Sequence, residues 1–218
     1  MGILNETYFV GIIDIPNVTA ISPTSNLTGN KALLDIILET DESECLIDLL
    51  GYHLYAEFKA EFDIDGTTGA WTIKPGAAQK WKDLLNGTTY TVDGVEVMYR
   101  GLIYKEHAVN VSLLSYKVFC NYINNDATKY LDVGVKSLKA KHANDSAINA
   151  KYTASFRAFH KLTEYRDCYN YYNDGNGQIR ENGTRSLYEF IHEQNAIDSD
   201  TYKNWKPQRF ENQNIFGL

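Results

Sequence analysis

KWKDLLNGTTYTVDGVEVMYRGL, residues 80–102, holds the punctuation that decides how this chain folds. Asn86-Gly87 ends a helical pattern, because glycine supplies the left-handed backbone that closes a helix. Upstream, Ala78, Trp81, Leu84 and Leu85 recur at helical spacing, and Pro75 suits a first helical turn. Downstream, Tyr90 and Val92 alternate with threonines, and Val95, Val97 and Tyr99 repeat at every second position. Between the two runs stands Asp93-Gly94. Asp-Gly supplies the positive φ angles of a type I′ turn, so residues 88–101 read as a β-hairpin.

Helical patterns lie on both sides of this hairpin. Asn30 opens a short helix through Leu33, Leu34, Ile37 and Leu38. Asp41 is placed to cap a second helix, with Glu42 and Glu44 in its favourable first turn. Leu46, Leu50, Leu54, Phe58 and Phe62 recur at every fourth position, one face of an amphipathic helix that DIDGTTG at 63–69 ends. Residues 102–124 read as one long helix. Ile103, Ala108, Val111, Leu114, Val118, Phe119 and Tyr122 share a side, and Leu113, Tyr116 and Ile123 make other sides apolar, which marks a central helix. Residues 126–144 show no clear period. Ile148, Tyr152, Phe156, Phe159, Leu162, Tyr165 and Tyr169 predict another helix over 145–172. NDGNGQIRENG is a loop, and Ser186 with Glu189 forms a capping box for a last short helix.

The predicted fold class is therefore mainly α: a helical bundle over residues 29–198 with a small hairpin at 88–101. Residues 1–28, broken by Pro16 and Pro23, read as an extended N-terminal arm, and residues 199–218 as an extended C-terminal arm. Apolar groups on such arms need a partner surface. Tyr8, Phe9, Ile12 and Ile13 on the first arm, Tyr90, Val92, Val95 and Val97 on the hairpin, and Trp205, Phe210, Ile215 and Phe216 on the second arm are the candidate interface residues. An exposed hairpin edge is a template for pairing with a neighbouring chain. Tyrosine, at 16 residues against nine Phe and three Trp, points the same way, since it is favoured where one end is buried and the other wet.

Composition excludes several classes. A hydrophobic fraction of 44% and a charged fraction of 22% are those of a globular protein. The formal charge of -7 argues against a free-standing DNA binder, whose affinity comes from neutralising phosphates. No run is long enough to span a bilayer. The N-terminus lacks a basic region, carries Glu6 and Asp14, and is not expected to be a secretion signal; Glu6 also stands where a myristoylation motif wants Ser or Thr. Cys45, Cys120 and Cys168 are far apart and odd in number, so neither a disulfide framework nor a zinc site is expected. Sequons at Asn5, Asn17, Asn86 and Asn182 are read as a consequence of composition.

The search for chemistry yields little. Residues 172–183 imitate a calcium loop through Asp174, Asn176, Gly177 and Ile179, but Tyr172 and Gly183 stand where acidic ligands are needed. Glu189 and His192 make a single Glu-x-x-His, whereas a di-iron bundle needs two and further glutamates. His53, His107 and His160 fall on predicted helices as packed or surface residues, with Glu164 one turn from His160. Lys136, Lys139, Lys141 and His142 form a basic patch without interleaved aromatics, read as a solvated face. No catalytic residue, metal or cofactor is expected.

LIDLLGYHLYAEFKAEF, KWKDLLNGTTYTVDGVEVMYRGL and a helix containing LLSYKVFCNYI together resemble head-to-tail connector proteins of tailed bacteriophages. They are similar to those of phages and prophages of gut Bacteroidetes, including crAss-like phages. Leu49-Leu50-Gly51, Trp81 to Gly87, the tyrosine and turn at 90–94, and Gly101-Leu102 carry the likeness, which covers residues 33–124. It implies a helical adaptor with a hairpin that assembles as a ring, usually dodecameric, beneath the portal protein. Such a ring extends the DNA channel and docks the next connector or tail protein. The partners implied are other copies of the chain, the portal, neighbouring tail components, and genomic DNA passing without sequence-specific binding. No membrane is implied. The implied location is the head-tail junction of the virion, after synthesis in the host cytoplasm. Acids such as those of Asp41 to Glu44 would face the channel. Residues 125–218 carry no resemblance. Another virion part (a tail hub, stopper or capsid-associated protein) and, further off, a small enzyme with a non-local site remain alternatives.

Overall fold

The computed structural model describes residues 2–15, 18, 28–131, 134–137, 145–164, 172–173, 178–179 and 184–206. Its helices are α1 (Thr28–Leu50), α2 (Tyr52–Ala60), α3 (Gln79–Asn86), α4 (Leu113–Ala127), α5 (Asp145–Thr163), α6 (Leu187–Ile197) and α7 (Ser199–Tyr202). Eleven short strands alternate with them: β1 (Phe62–Ile64), β2 (Trp71–Ile73), β3 (Thr88–Val92), β4 (Val95–Tyr99), β5 (Ile103–Glu106), β6 (Val109–Ser112), β7 (Thr128–Leu131), β8 (Gly134–Ser137), β9 (Tyr172–Asn173), β10 (Gln178–Ile179) and β11 (Thr184–Arg185). The expected helical bundle is thus corrected to a mixed α/β architecture of helices interleaved with small sheets.

Two segments account for the difference. Residues 102–112, expected to begin the central helix, form the antiparallel pair β5–β6, from Ile103 opposite Ser112 to Glu106 opposite Val109. The turn is His107-Ala108, with His107 at φ 56°. Ile103, Val109 and Val111 are β-branched and fit a pleated surface better than a helix. Ser112 then starts α4: its Oγ accepts from the Leu114 amide at 3.1 Å and donates to the Leu102 carbonyl at 2.7 Å. The second segment is β1–β2, where Phe62 opposes Ile73 and Ile64 opposes Trp71. Asp65 builds its turn by accepting from the Thr67 and Thr68 amides at 2.8 and 2.7 Å.

The helix boundaries also move. Asp41 does not cap a helix; α1 runs through it, and Asp41 accepts from the Asn121 side chain on α4 at 2.7 Å. The break falls at Gly51, at φ 76°, so Leu46 and Leu50 lie on α1 while Leu54 and Phe58 lie on α2. Helix α5 is described only to Thr163; Tyr165 and Tyr169 lie outside the described residues.

Helix α4 packs between α1 and α5, and α6 joins from the C-terminal side. One continuous hydrophobic cluster runs through the molecule, from Leu4 at one end of the chain to Trp205 at the other. The arms expected at both ends are therefore built into the core where they are described. Residues 2–15 form two 3-10 turns, Glu6–Tyr8 and Gly11–Ile13, and bury Leu4, Phe9, Ile13 and Ile15. Burying each such side chain is worth about 1.5–3 kcal/mol. Residues 199–206 continue from α6 into α7 and set Trp205 in the core, 5.1 Å from Trp81 and 4.8 Å from Tyr202 between ring centroids.

Candidate assembly surface

Two glycines make the base of the central hairpin. Gly87 closes α3 at φ 83°, its amide donating to the Asp83 carbonyl, and Gly101 ends β4 at φ 95°. The two backbones cross so closely that a Cβ on Gly87 would collide with the Tyr99 and Arg100 main chain. A Cβ on Gly101 would collide with the main chain of Leu85, Asn86 and Gly87. Only glycine satisfies both the dihedral and the approach. The Leu102 amide donates to the Leu84 carbonyl at 3.0 Å and locks the crossing. Between these ends, β3 and β4 pair from Thr88 opposite Tyr99 to Val92 opposite Val95. Asp93 and Gly94 hold φ 50° and 79° at the turn, both positive as a type I′ turn requires.

One face of the hairpin is fastened to α6. Tyr99 stacks on Phe190 at 4.3 Å with planes 9° apart, and its hydroxyl donates to the Leu84 carbonyl at 3.3 Å. Tyr90 meets Phe190 edge-on, and its hydroxyl donates to Glu193 at 2.7 Å. Burial, and then the Glu193 carboxylate, push the Tyr90 hydroxyl well above its ordinary pKa, so it stays a donor. Arg185 Nε donates to the same Glu193 at 2.8 Å. Arg185 belongs to β11, which adds in parallel to β4 with Thr184 opposite Met98. The sheet order β11-β4-β3 leaves β3 at the edge, with β4 its one strand partner among the described residues.

The candidate interface residues divide accordingly. Val95 at the hairpin tip is 54% exposed and Ile12 is 56% exposed. Val92 is half-buried. Tyr90 is half-buried within the network just described. Tyr8 is also half-buried, its hydroxyl pKa raised by burial and by Glu42. Phe9, Ile13, Val97 and Trp205, expected at an intersubunit interface, are instead buried within this chain's own core. Phe9, Ile13 and Trp205 are there because other elements of the same chain already supply their apolar partners in one cluster. Phe210, Ile215 and Phe216 lie outside the described residues, as do Lys139, Lys141 and His142 of the basic patch and Cys168.

Sequence reasoning missed the other exposed apolar positions. Met98 stands on the outer face of the hairpin and Val109 near the tip of β5–β6, 39% and 44% exposed. Ile36 and Tyr52 are exposed on α1 and α2, where no periodicity marks them as different from core residues. Between the two hairpins lies a groove of about 620 Å³ with Thr89, Met98, Arg100, Tyr104 and His107 in its walls. Arg100 sits over the Tyr104 ring at 5.3 Å and 3.7 Å from Glu106.

The acids expected to face a channel do not act as a set. Glu42 is 2% exposed and accepts from the Ile3 and Leu4 amides at 2.6 and 3.2 Å. Burial raises its pKa to about 7 against the opposing pull of those two amides. A Cβ on Gly2 would collide with this carboxylate, and the Gly2 carbonyl accepts from the Trp71 amide at 3.0 Å. Glu42 is thus a latch on the N-terminal segment.

Of the three histidines expected on helices, His53 is exposed on α2, His107 is exposed in the β5–β6 turn rather than on a helix, and His160 on α5 lies 3.7 Å from Glu164. Among the described residues no group of three or more His, Cys, Asp or Glu is placed to hold a metal ion, and no helix is long and apolar enough to cross a membrane. No protein-family model matches the chain, and no curated protein or solved structure matches it.

Proposed function

We propose that this chain is a structural assembly protein, a ring subunit of a tailed-phage head-to-tail connector that links portal to tail around the DNA channel. What carries the proposal is where the residues of the connector resemblance fall. Leu49, Leu50, Trp81, Leu84, Leu85, Tyr99 and Leu102 belong to one buried cluster, and Gly87 and Gly101 cross at the foot of the hairpin. The shared residues therefore build a stiff mount for one projecting element. That element carries an exposed apolar tip at Val95, an exposed Met98 and an edge strand, β3, that pairs with β4 alone among the described residues. A pre-organised apolar projection loses little entropy when a neighbour covers it.

The function follows from shape rather than chemistry. Each subunit completes its own core and offers the hairpin to the next copy, and a contact between unlike surfaces closes into a ring about a rotation axis. The test is the size of the purified chain, alone and with its portal protein, by mass photometry and negative-stain microscopy. A closed ring with a central channel, formed alone or on the portal, is expected. A chain that stays monomeric and forms no complex with portal at micromolar concentration overturns the proposal.

A further inference from the structure

The two ends of α3 open onto grooves of opposite charge. The groove at its C-terminal end, which Asn86 lines, holds Arg100 and Lys105 against the single carboxylate of Glu106, which stands 3.7 Å from Arg100 and leaves Lys105 as the charge in excess. One positive charge is thus in excess there, on a chain of net charge -7. A second groove, of about 690 Å³, lies where the first turn of α3 meets α6 and α7. It holds Asp83, Asp198 and Asp200 against Lys80 alone. Lys80 is itself engaged, its Nζ 3.4 Å from the Thr201 carbonyl and 5.0 Å from the Trp81 ring centroid. Hydrogen bonds from Thr201 hold the Asp198 carboxyl below the usual range, so it is ionised at neutral pH. Eight helical residues span about 12 Å. The grooves therefore sit at the two ends of one short, rigid element.

We propose that these grooves are the two halves of a head-to-tail contact between copies of this chain. The cationic groove beside the hairpin of one copy receives the carboxylate rim at the α3 N-terminus of the next. This rests on the ring assembly proposed above and names the surfaces that make it. A two-fold dimer needs one patch that complements itself. A patch holding both grooves would complement itself in that way and give a dimer, whereas the ring proposed above sets one side's groove against the other side's rim at every contact, and a copy number above two separates the two arrangements. Charge complementarity of this kind selects the partner and the register more than it sets raw affinity.

Charge reversal tests it, using the full chain. Lys105→Glu and Asp200→Lys each alter an exposed side chain. Each alone sets like charges face to face at every contact and is expected to weaken assembly at least tenfold. A mixture of the two variants is expected to assemble again. The Glu at 105 of one then faces the Lys at 200 of the other, and the remaining contacts are of the original kind. The restored particles alternate the two variants and hold an even number of copies, which native mass spectrometry reads directly. Circular dichroism of each variant checks that it stays folded; if Asp200→Lys does not, Asp198→Lys replaces it.

If the unaltered chain forms rings while both variants assemble as it does, the head-to-tail assignment is wrong and the ring proposal stands. If the unaltered chain stays monomeric both alone and with portal, both fail. If Lys105→Glu abolishes binding of duplex DNA and leaves assembly unchanged, the cationic groove serves nucleic acid and the assignment is overturned.

Discussion

Replacing Glu42 by glutamine should change how stability depends on pH, and the direction is fixed by the geometry. The Glu42 carboxyl is buried beneath the N-terminal segment, and its folded pKa is raised from 4.5 to about 7. The folded state therefore holds a proton that the unfolded chain releases between those two values. A raised pKa contributes stability that is fully present below pH 4.5 and is lost as pH rises through 7. The difference between about 7 and 4.5 corresponds to roughly 3 kcal/mol. Glu42→Gln cannot ionise and keeps one oxygen to accept from the Ile3 amide; the weaker 3.2 Å acceptor for the Leu4 amide is lost at every pH, which shifts stability but not its pH slope. Urea unfolding at about pH 5 and about pH 8 measures the effect. The unaltered chain should lose up to roughly 3 kcal/mol more than the variant across that interval. Both proteins carry the same five histidines, so their contribution cancels in the comparison. Equal pH slopes in the two proteins would refute the reasoning, because Glu42 would then ionise without cost in the folded state.

Other perturbations have equally definite outcomes. Gly101→Ala puts a Cβ into the Leu85–Gly87 main chain at φ 95° and should cost at least about 2 kcal/mol in chemical denaturation. Trp205→Ala empties the space between Trp81, Tyr202 and Phe190 and should cost about 3–5 kcal/mol, read by the same melts. Deleting residues 1–18 strips Leu4, Phe9, Ile13, Ile15 and Val18 from the core, and the product should unfold rather than persist as a folded monomer, as circular dichroism will report. Val95→Asp alters an exposed tip residue and should leave the melting temperature unchanged while weakening assembly by light scattering.

The hairpin at 88–101 was legible because Asp93-Gly94 and Gly87 are residues whose backbone freedom is itself the signal. The Ser186–Glu189 capping box was legible for the same kind of reason, a local hydrogen bond written in two residue types. The β5–β6 pair was not. Its turn, His107-Ala108, contains no glycine, asparagine or proline, and Ala108, Val111 and Leu114 mimic helical spacing when read onward into α4. The N-terminal segment was misplaced because nothing local distinguishes an apolar strap on its own core from an apolar arm on a neighbour. The partners that decide it, Glu42 and Trp71, stand far along the chain. Glu42 reads as an acid favourable to a helix first turn because burial of a carboxylate leaves no mark in the sequence. Of the candidate interface, Val95 and Ile12 are exposed, whereas Val97 and Phe9 are covered by elements the sequence had not joined to them.

The most direct measurement of the proposed connector role is whether and where the chain sits in an assembled phage particle, by cryo-electron microscopy. The account predicts rotationally symmetric density at the junction of head and tail, with α1–α4 fitted as one body and the β3–β4 hairpin of each copy against its neighbour. Density for the chain elsewhere, on the capsid shell or the tail tip, or absent from the particle, would contradict it.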